Sequence, residues 1–113
     1  MKSLTGKTMD QTLRKYYLFV KEQPCLVCGE PSTLAEPSEA DHIMAWSNKL
    51  KSLGSRSHKG IAAYFCVPLC HECHQERHKH SEEEWYGSKG WPRPNLYAYL
   101  AYQLASFLAD NDT

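Results

Sequence analysis

The chain has 113 residues, most economically one domain, and at that size a hydrophobic core alone confers only modest stability. Its 13 Lys and Arg balance 13 Asp and Glu, so the zero net charge announces no nucleic-acid partner, and only a local basic stretch can do so. Five cysteines, with no signal-peptide pattern and no apolar run of membrane-spanning length, point to a reducing cytoplasm, where paired cysteines bind metal more often than they form disulfides.

Residues 1–8 lack periodicity and read as a flexible N-terminus; residues 9–113 read as a single domain. From Thr8 or Asp10, either suited to an N-cap, to about Gln23, the residues Leu13, Tyr16, Tyr17 and Val20 recur at helical spacing. They predict a core-covering helix ended by Pro24, with its tyrosines assigned to packing rather than chemistry. Cys25-Leu26-Val27-Cys28-Gly29 has the form of a zinc knuckle, in which a tight turn closed by Gly lets two sulfurs and the backbone amides face one metal. A lone Cys-x-x-Cys also fits a redox pair, but a second pair follows at Cys70 and Cys73. Residues 29–69 are too many for a compact finger spacing, so they must hold structure of their own.

Residues 30–38, with two prolines and two serines, read as a loop. Residues Glu39 to Trp46 read as a strand with Asp41-His42 at its start. Between His42 and His71 there is no Asp or Glu, whereas Lys49, Lys51, Arg56, His58 and Lys59 crowd the stretch Ser47 to Gly60. Charge runs are usually solvated faces, yet so long a stretch without an acid in a neutral protein makes these five candidates for phosphate contact. Residues 65–69 predict a short apolar strand running into a helix that starts near Cys70, and Cys66 within it reads as a buried thiol packing as a small apolar residue. Ser81 ahead of Glu82, Glu83 and Glu84 predicts a capped short helix, and Gly87 to Pro94 a break. Leu96, Tyr97, Leu100, Leu104, Phe107 and Leu108 mark a final amphipathic helix to about Ala109, assigned to the core and to a candidate homodimer interface.

Two Cys-x-x-Cys pairs in one small domain specify a zinc site on Cys25, Cys28, Cys70 and Cys73, and because four thiolates fill a tetrahedron that zinc is structural. A second constellation comprises Asp41, His74 and His78. Two histidines four apart share one helical face, and with Asp41 they hold one side of a divalent ion while leaving other positions open. A His-x-x-x-His pair alone is more often solvated than functional; what raises its weight is that the zinc knuckles fold the strand bearing Asp41 back against the helix beginning at Cys70. Neighbouring residues of a strand point to opposite sides, so His42 is left apart from the ion that Asp41 binds and serves as a candidate general base. His71 lies between two zinc ligands and is a weak candidate; His80 reads as solvated.

On Asp41-His42-Ile43, on Val67-Pro68-Leu69-Cys70-His71-Glu72-Cys73-His74 and on His78, the chain resembles the HNH, or ββα-metal, nucleases built on a treble-clef zinc core. The stretch Gly54 to Cys70 is most similar to that of small phage and prophage HNH recombination-type nucleases. The resemblance covers residues 25–80. It implies an α+β fold in which a treble-clef core carrying the ββα-metal motif is flanked by N- and C-terminal helices. It further implies Asp41 and His74 as ligands of a catalytic Mg2+ or another divalent metal, His78 as a third ligand, and His42 as the general base. The implied activity is cleavage of DNA phosphodiesters to 5′-phosphate ends, in phage or prophage recombination or DNA processing within a bacterial host. One element departs from the pattern: the central Asn expected a few residues before the second cysteine pair is absent, and Phe65 or Cys66 stands there, so His42 lacks its usual brace. The rival readings are a non-catalytic treble-clef module that binds DNA or protein, and a structural phage protein assembled through its last helix.

Overall fold

A computed structural model of the chain describes residues 7–43 and 63–111. Among them, helix α1 (Lys7–Lys21) precedes strands β1 (Glu39–His42) and β2 (Cys66–Leu69), followed by helices α2 (His71–Arg77), α3 (Glu82–Ser88) and α4 (Arg93–Asn111). The fold is therefore α+β, with one two-stranded antiparallel sheet. No helix among the described residues is long and apolar enough to cross a membrane.

The sheet sets the register of everything that follows. Glu39 faces Leu69, Ala40 faces Pro68, Asp41 faces Val67 and His42 faces Cys66. Ile43 N extends the ladder by donating to Phe65 O at 2.8 Å. Asp41 and His42 thus close the described strand rather than open it, because residues 39 and 40 already pair with the end of β2. Residues 44–46 of the expected strand lie outside the described residues, as does the basic stretch with Lys49, Lys51, Arg56, His58 and Lys59. Pro68 has no N–H for a ladder, which suits the two-stranded sheet of the described residues. Its carbonyl accepts from Leu26 N at 2.9 Å, tying the first cysteine pair to the strand that leads into the second.

Two apolar clusters hold the elements together. Ile43, Val67, Leu69, Trp85, Tyr86, Leu96 and Leu100 bury one face of the sheet under α3 and α4. Tyr16, Val20, Cys66 and Phe107 join α1 to α4. Each fully buried large apolar side chain contributes about 1.5–3 kcal/mol. Cys66 is wholly buried in the second cluster and packs as a small apolar residue, its thiol pushed up to about 12 by burial.

Element boundaries differ from the sequence expectation for identifiable reasons. The chain leaves α1 at Lys21, and Glu22 and Gln23 bond back to Leu18 and Val20 in a tightening last turn before Pro24. Ser81 caps α3 by accepting from Glu84 N, as its position predicts. The break after α3 is shorter than the expected Gly87 to Pro94: Gly90, at φ 87°, makes the turn, and α4 starts at Arg93. Pro94 falls in the first turn of α4, where a missing N–H costs nothing. Leu108 is not core but 56% exposed. The inward face of α4 runs through Leu96, Leu100, Gln103 and Phe107, and the next residue is rotated about 100° away. Gln103 takes the inward place, its Nε2 donating to Tyr16 Oη at 2.8 Å and to Cys66 O at 2.7 Å.

Candidate metal centres

The four-cysteine cluster forms where a loop and a helix start meet. Cys25 N donates to Glu30 O and Gly29 N to Cys25 O, each at 2.9 Å, closing a turn whose last residue, Gly29, has φ 77°. That left-handed backbone suits glycine, as the knuckle requires. Cys70 is the N-cap residue of α2, and Cys73 lies in its first turn. The four Sγ atoms lie within 4.8 Å of one another, with Cys28 and Cys70 at 3.7 Å. Zinc–thiolate bonds of about 2.3 Å in a tetrahedron place sulfurs about 3.8 Å apart. The donor set fits a structural zinc. Burial opposes ionisation of Cys25, but the backbone N–H groups of Cys28, Cys70 and Val27 outweigh it and hold this thiol at about 7. Burial pushes Cys73 up, and the neighbouring Cys70 and Cys25 add to it, a crowding that a divalent cation relieves.

The second cluster spans β1 and α2. Asp41 Oδ1 lies 3.4 Å from His74 Nε2 and 3.9 Å from His78 Nε2, and the two imidazole nitrogens are 3.0 Å apart. A divalent ion bound at about 2.1 Å has neighbouring donors about 3.0 Å apart in an octahedron and about 3.4 Å in a tetrahedron. These spacings bracket both geometries. Asp41 is buried, His74 half-buried and His78 exposed, so the triangle is closed on the protein side and open on the other.

The supporting contacts of this triangle are specific. Glu39 places one carboxylate oxygen 2.7 Å from His74 Nδ1 and the other 2.8 Å from His71 Nδ1. A carboxylate only accepts, so His74 donates to it through Nδ1, and the neutral ring in that tautomer offers Nε2 as a ligand atom toward Asp41 and His78. The hydrogen bond from His74, followed by that from His71, holds the Glu39 carboxyl below its ordinary range. On the far side of Asp41, Oδ2 accepts from Arg77 Nε at 3.0 Å and from Tyr86 Oη at 2.5 Å. Burial alone would lower the Arg77 guanidinium; the adjacent Asp41 outweighs it and raises it.

A family described as a protein of unknown function (DUF968) matches residues 4–98. The chain belongs to the DUF968 family. No curated protein and no solved structure matches it. The DUF968 match spans all four clustered cysteines as well as Asp41, His74 and His78.

In this DUF968 chain the structure brings together every metal candidate singled out from the sequence, in the two groups expected. His42 stands apart from both groups. Its Nε2 lies 3.0 Å from Tyr17 Oη, and the two rings meet edge to face with centroids 5.7 Å apart. His71 belongs to neither metal group; it pairs with Glu39 and is largely exposed. His80 is exposed, as read from the sequence. Four contributors were missed. Glu39 was detectable, since it lies two residues before Asp41 and a strand returns to the same face at that interval. Arg77 and Tyr86 reach Asp41 only through the packing of α2 and α3 on the sheet. Tyr17 sits on the same helical stripe as core residues and was assigned to packing.

Proposed function

We propose that this protein is a metal-dependent endonuclease of the HNH type that hydrolyses DNA phosphodiester bonds, with a treble-clef zinc core. The observation that carries this is the convergence of Asp41 Oδ1, His74 Nε2 and His78 Nε2 from a strand and a helix, directly beside a four-cysteine cluster and one residue from His42. Asp41, His74 and His78 would hold a divalent ion such as magnesium, which would supply charge neutralisation at the phosphate and the departing 3′-oxygen. His42 takes a proton from the attacking water. Arg77 and Tyr86 fix the rotamer of Asp41, and Glu39 that of His74. Cys25, Cys28, Cys70 and Cys73 would hold a structural zinc that clamps the turn at residues 25–29 to the start of α2. Lys49, Lys51, Arg56, His58 and Lys59 grip the DNA backbone. Two imidazoles and one carboxylate also suit manganese, nickel or zinc. A place in phage or prophage DNA recombination or processing rests on the resemblance alone.

The test is nicking of supercoiled plasmid by zinc-loaded protein with and without added magnesium or manganese, beside His74→Ala and His78→Ala. Nicking that requires the added ion and falls about 100-fold or more in His74→Ala, with zinc content retained, supports the proposal. Equal nicking by the variants, or none by the wild type with any ion, contradicts it. One observation favours a binding module instead: Asp41 is already engaged by Arg77 and Tyr86 through Oδ2, so it has a structural role without any ion. Plasmid bound but left intact with every ion would select that alternative.

A further inference from the structure

We infer that Tyr17 is a positioning residue for His42, holding the neutral imidazole with its proton on Nε2 so that Nδ1 is the nitrogen that accepts a proton from water. The inference rests on the endonuclease proposal and deepens it.

Proton counting carries the case. Tyr17 Oη has one hydrogen and two polar neighbours, Ala63 O at 3.1 Å and His42 Nε2 at 3.0 Å. A carbonyl oxygen only accepts, so the hydroxyl proton is directed to Ala63 and the phenol oxygen presents its lone pair to His42. Nε2 must then be the donor in the second bond. The opposite arrangement, with the hydroxyl donating to Nε2, would take this donor from the carbonyl of Ala63, a buried residue. The phenol keeps its proton throughout, because burial pushes Tyr17 up to about 12. The perpendicular ring contact, at 86°, restrains the imidazole plane.

The bond therefore does two things that a base needs: it chooses which nitrogen is basic, and it limits rotation of the ring. In the step it serves, one O–H bond of water breaks and its proton goes to Nδ1. The water oxygen bonds to phosphorus, and the bond from phosphorus to the 3′-oxygen breaks with its electron pair on that oxygen, which takes a proton from solvent. After turnover Nδ1 returns its proton to solvent while the Nε2 bond to Tyr17 persists. Helix α1, which supplies no metal candidate, thereby contributes to the reaction.

The experiment uses full-length zinc-loaded protein and Tyr17→Phe, which keeps the ring and its packing and removes one hydroxyl. Long-range nitrogen–proton NMR of the neutral His42 ring reports the tautomer, and manganese-supported plasmid nicking gives kcat and KM. The expected wild-type spectrum shows the proton on Nε2, and Tyr17→Phe shows a mixture of tautomers. Its kcat falls about 10- to 100-fold while KM stays within about twofold, the signature of a mispositioned base rather than of lost DNA binding. A wild-type spectrum with the proton on Nδ1 overturns the inference, as does wild-type kcat in Tyr17→Phe. Should Tyr17→Phe fail to fold, the wild-type spectrum alone decides. A wild type that never nicks, whatever its tautomer, removes the endonuclease proposal and the inference with it, so the two failures are told apart.

Discussion

Replacing Arg77 by Met should expose how much of this fold depends on neutralising Asp41. The Arg77 side chain is 9% exposed and the Asp41 side chain 2%, with Nε and Oδ2 at 3.0 Å, so water screens the pair little. Met keeps most of the apolar stem and removes the charge, leaving a buried carboxylate with Tyr86 as its remaining donor on Oδ2. Breaking such a pair costs about 3–5 kcal/mol. For a domain whose whole stability is about 5–15 kcal/mol, that is a large share. In an Asp41→Asn background no charge is left to neutralise, and the same Arg77→Met change should cost about 2 kcal/mol less or better. The assay is urea unfolding of zinc-saturated protein followed by tryptophan fluorescence, run as a double-mutant cycle. Adding manganese should then restore more stability to Arg77→Met than to the wild type, since a cation beside Asp41 replaces the missing charge. Effects that add to within about 0.5 kcal/mol in the cycle would refute the reasoning.

Removing zinc should unfold the domain, because structural zinc sites contribute about 10–16 kcal/mol in apparent binding energy; one zinc per chain and loss of far-UV circular dichroism on chelation check this, and an unchanged spectrum contradicts it. Cys66, with its thiol pushed up to about 12 by burial, should resist alkylation at neutral pH until the chain unfolds, and peptide mapping that finds it modified in the native state without unfolding would contradict its placement. Glu39 is held below its ordinary pKa by His74 and then His71, so its contribution is complete above the ordinary carboxylate range and is lost as pH falls through the lower folded value. Glu39→Gln should accordingly flatten the acid side of the stability–pH profile; an acid limb identical to the wild type would show that the Glu39 bonds are not maintained in solution.

Both metal groups were legible in the sequence because their chemistry lies in residue type and local spacing. Cys-x-x-Cys and His-x-x-x-His are fixed by a turn and by one helical period, and the loop between them needed only to return. The α+β class was implied by the resemblance, and the helices and the strand pair agree with it. What was not legible depended on relations between elements. That Asp41 and His42 lie in the second half of β1 follows from their register against Val67 and Cys66, which nothing local determines. The inward turn of Gln103 in place of Leu108 follows from the rotation of α4 about its axis, and an apolar pattern with hydrophobic residues on adjacent positions does not fix that rotation. Arg77 and Tyr86 converge on Asp41 across intervals of tens of residues. Tyr17 was hidden differently: a phenol on an apolar helical stripe packs as a core residue and still offers a hydroxyl to a neighbouring strand. The Asn that the resemblance leads one to expect near His42 is absent, and Tyr17 of α1 contacts that ring instead.

The most direct measurement of the central claim is nicking of supercoiled plasmid by zinc-loaded wild type and His42→Ala, with binding of manganese to each protein measured in parallel. The endonuclease proposal predicts ion-dependent nicking by the wild type and a loss of about 100-fold or more in His42→Ala, with zinc content and manganese affinity unchanged. Undiminished cleavage by His42→Ala, in protein freed of host nucleases, would contradict it.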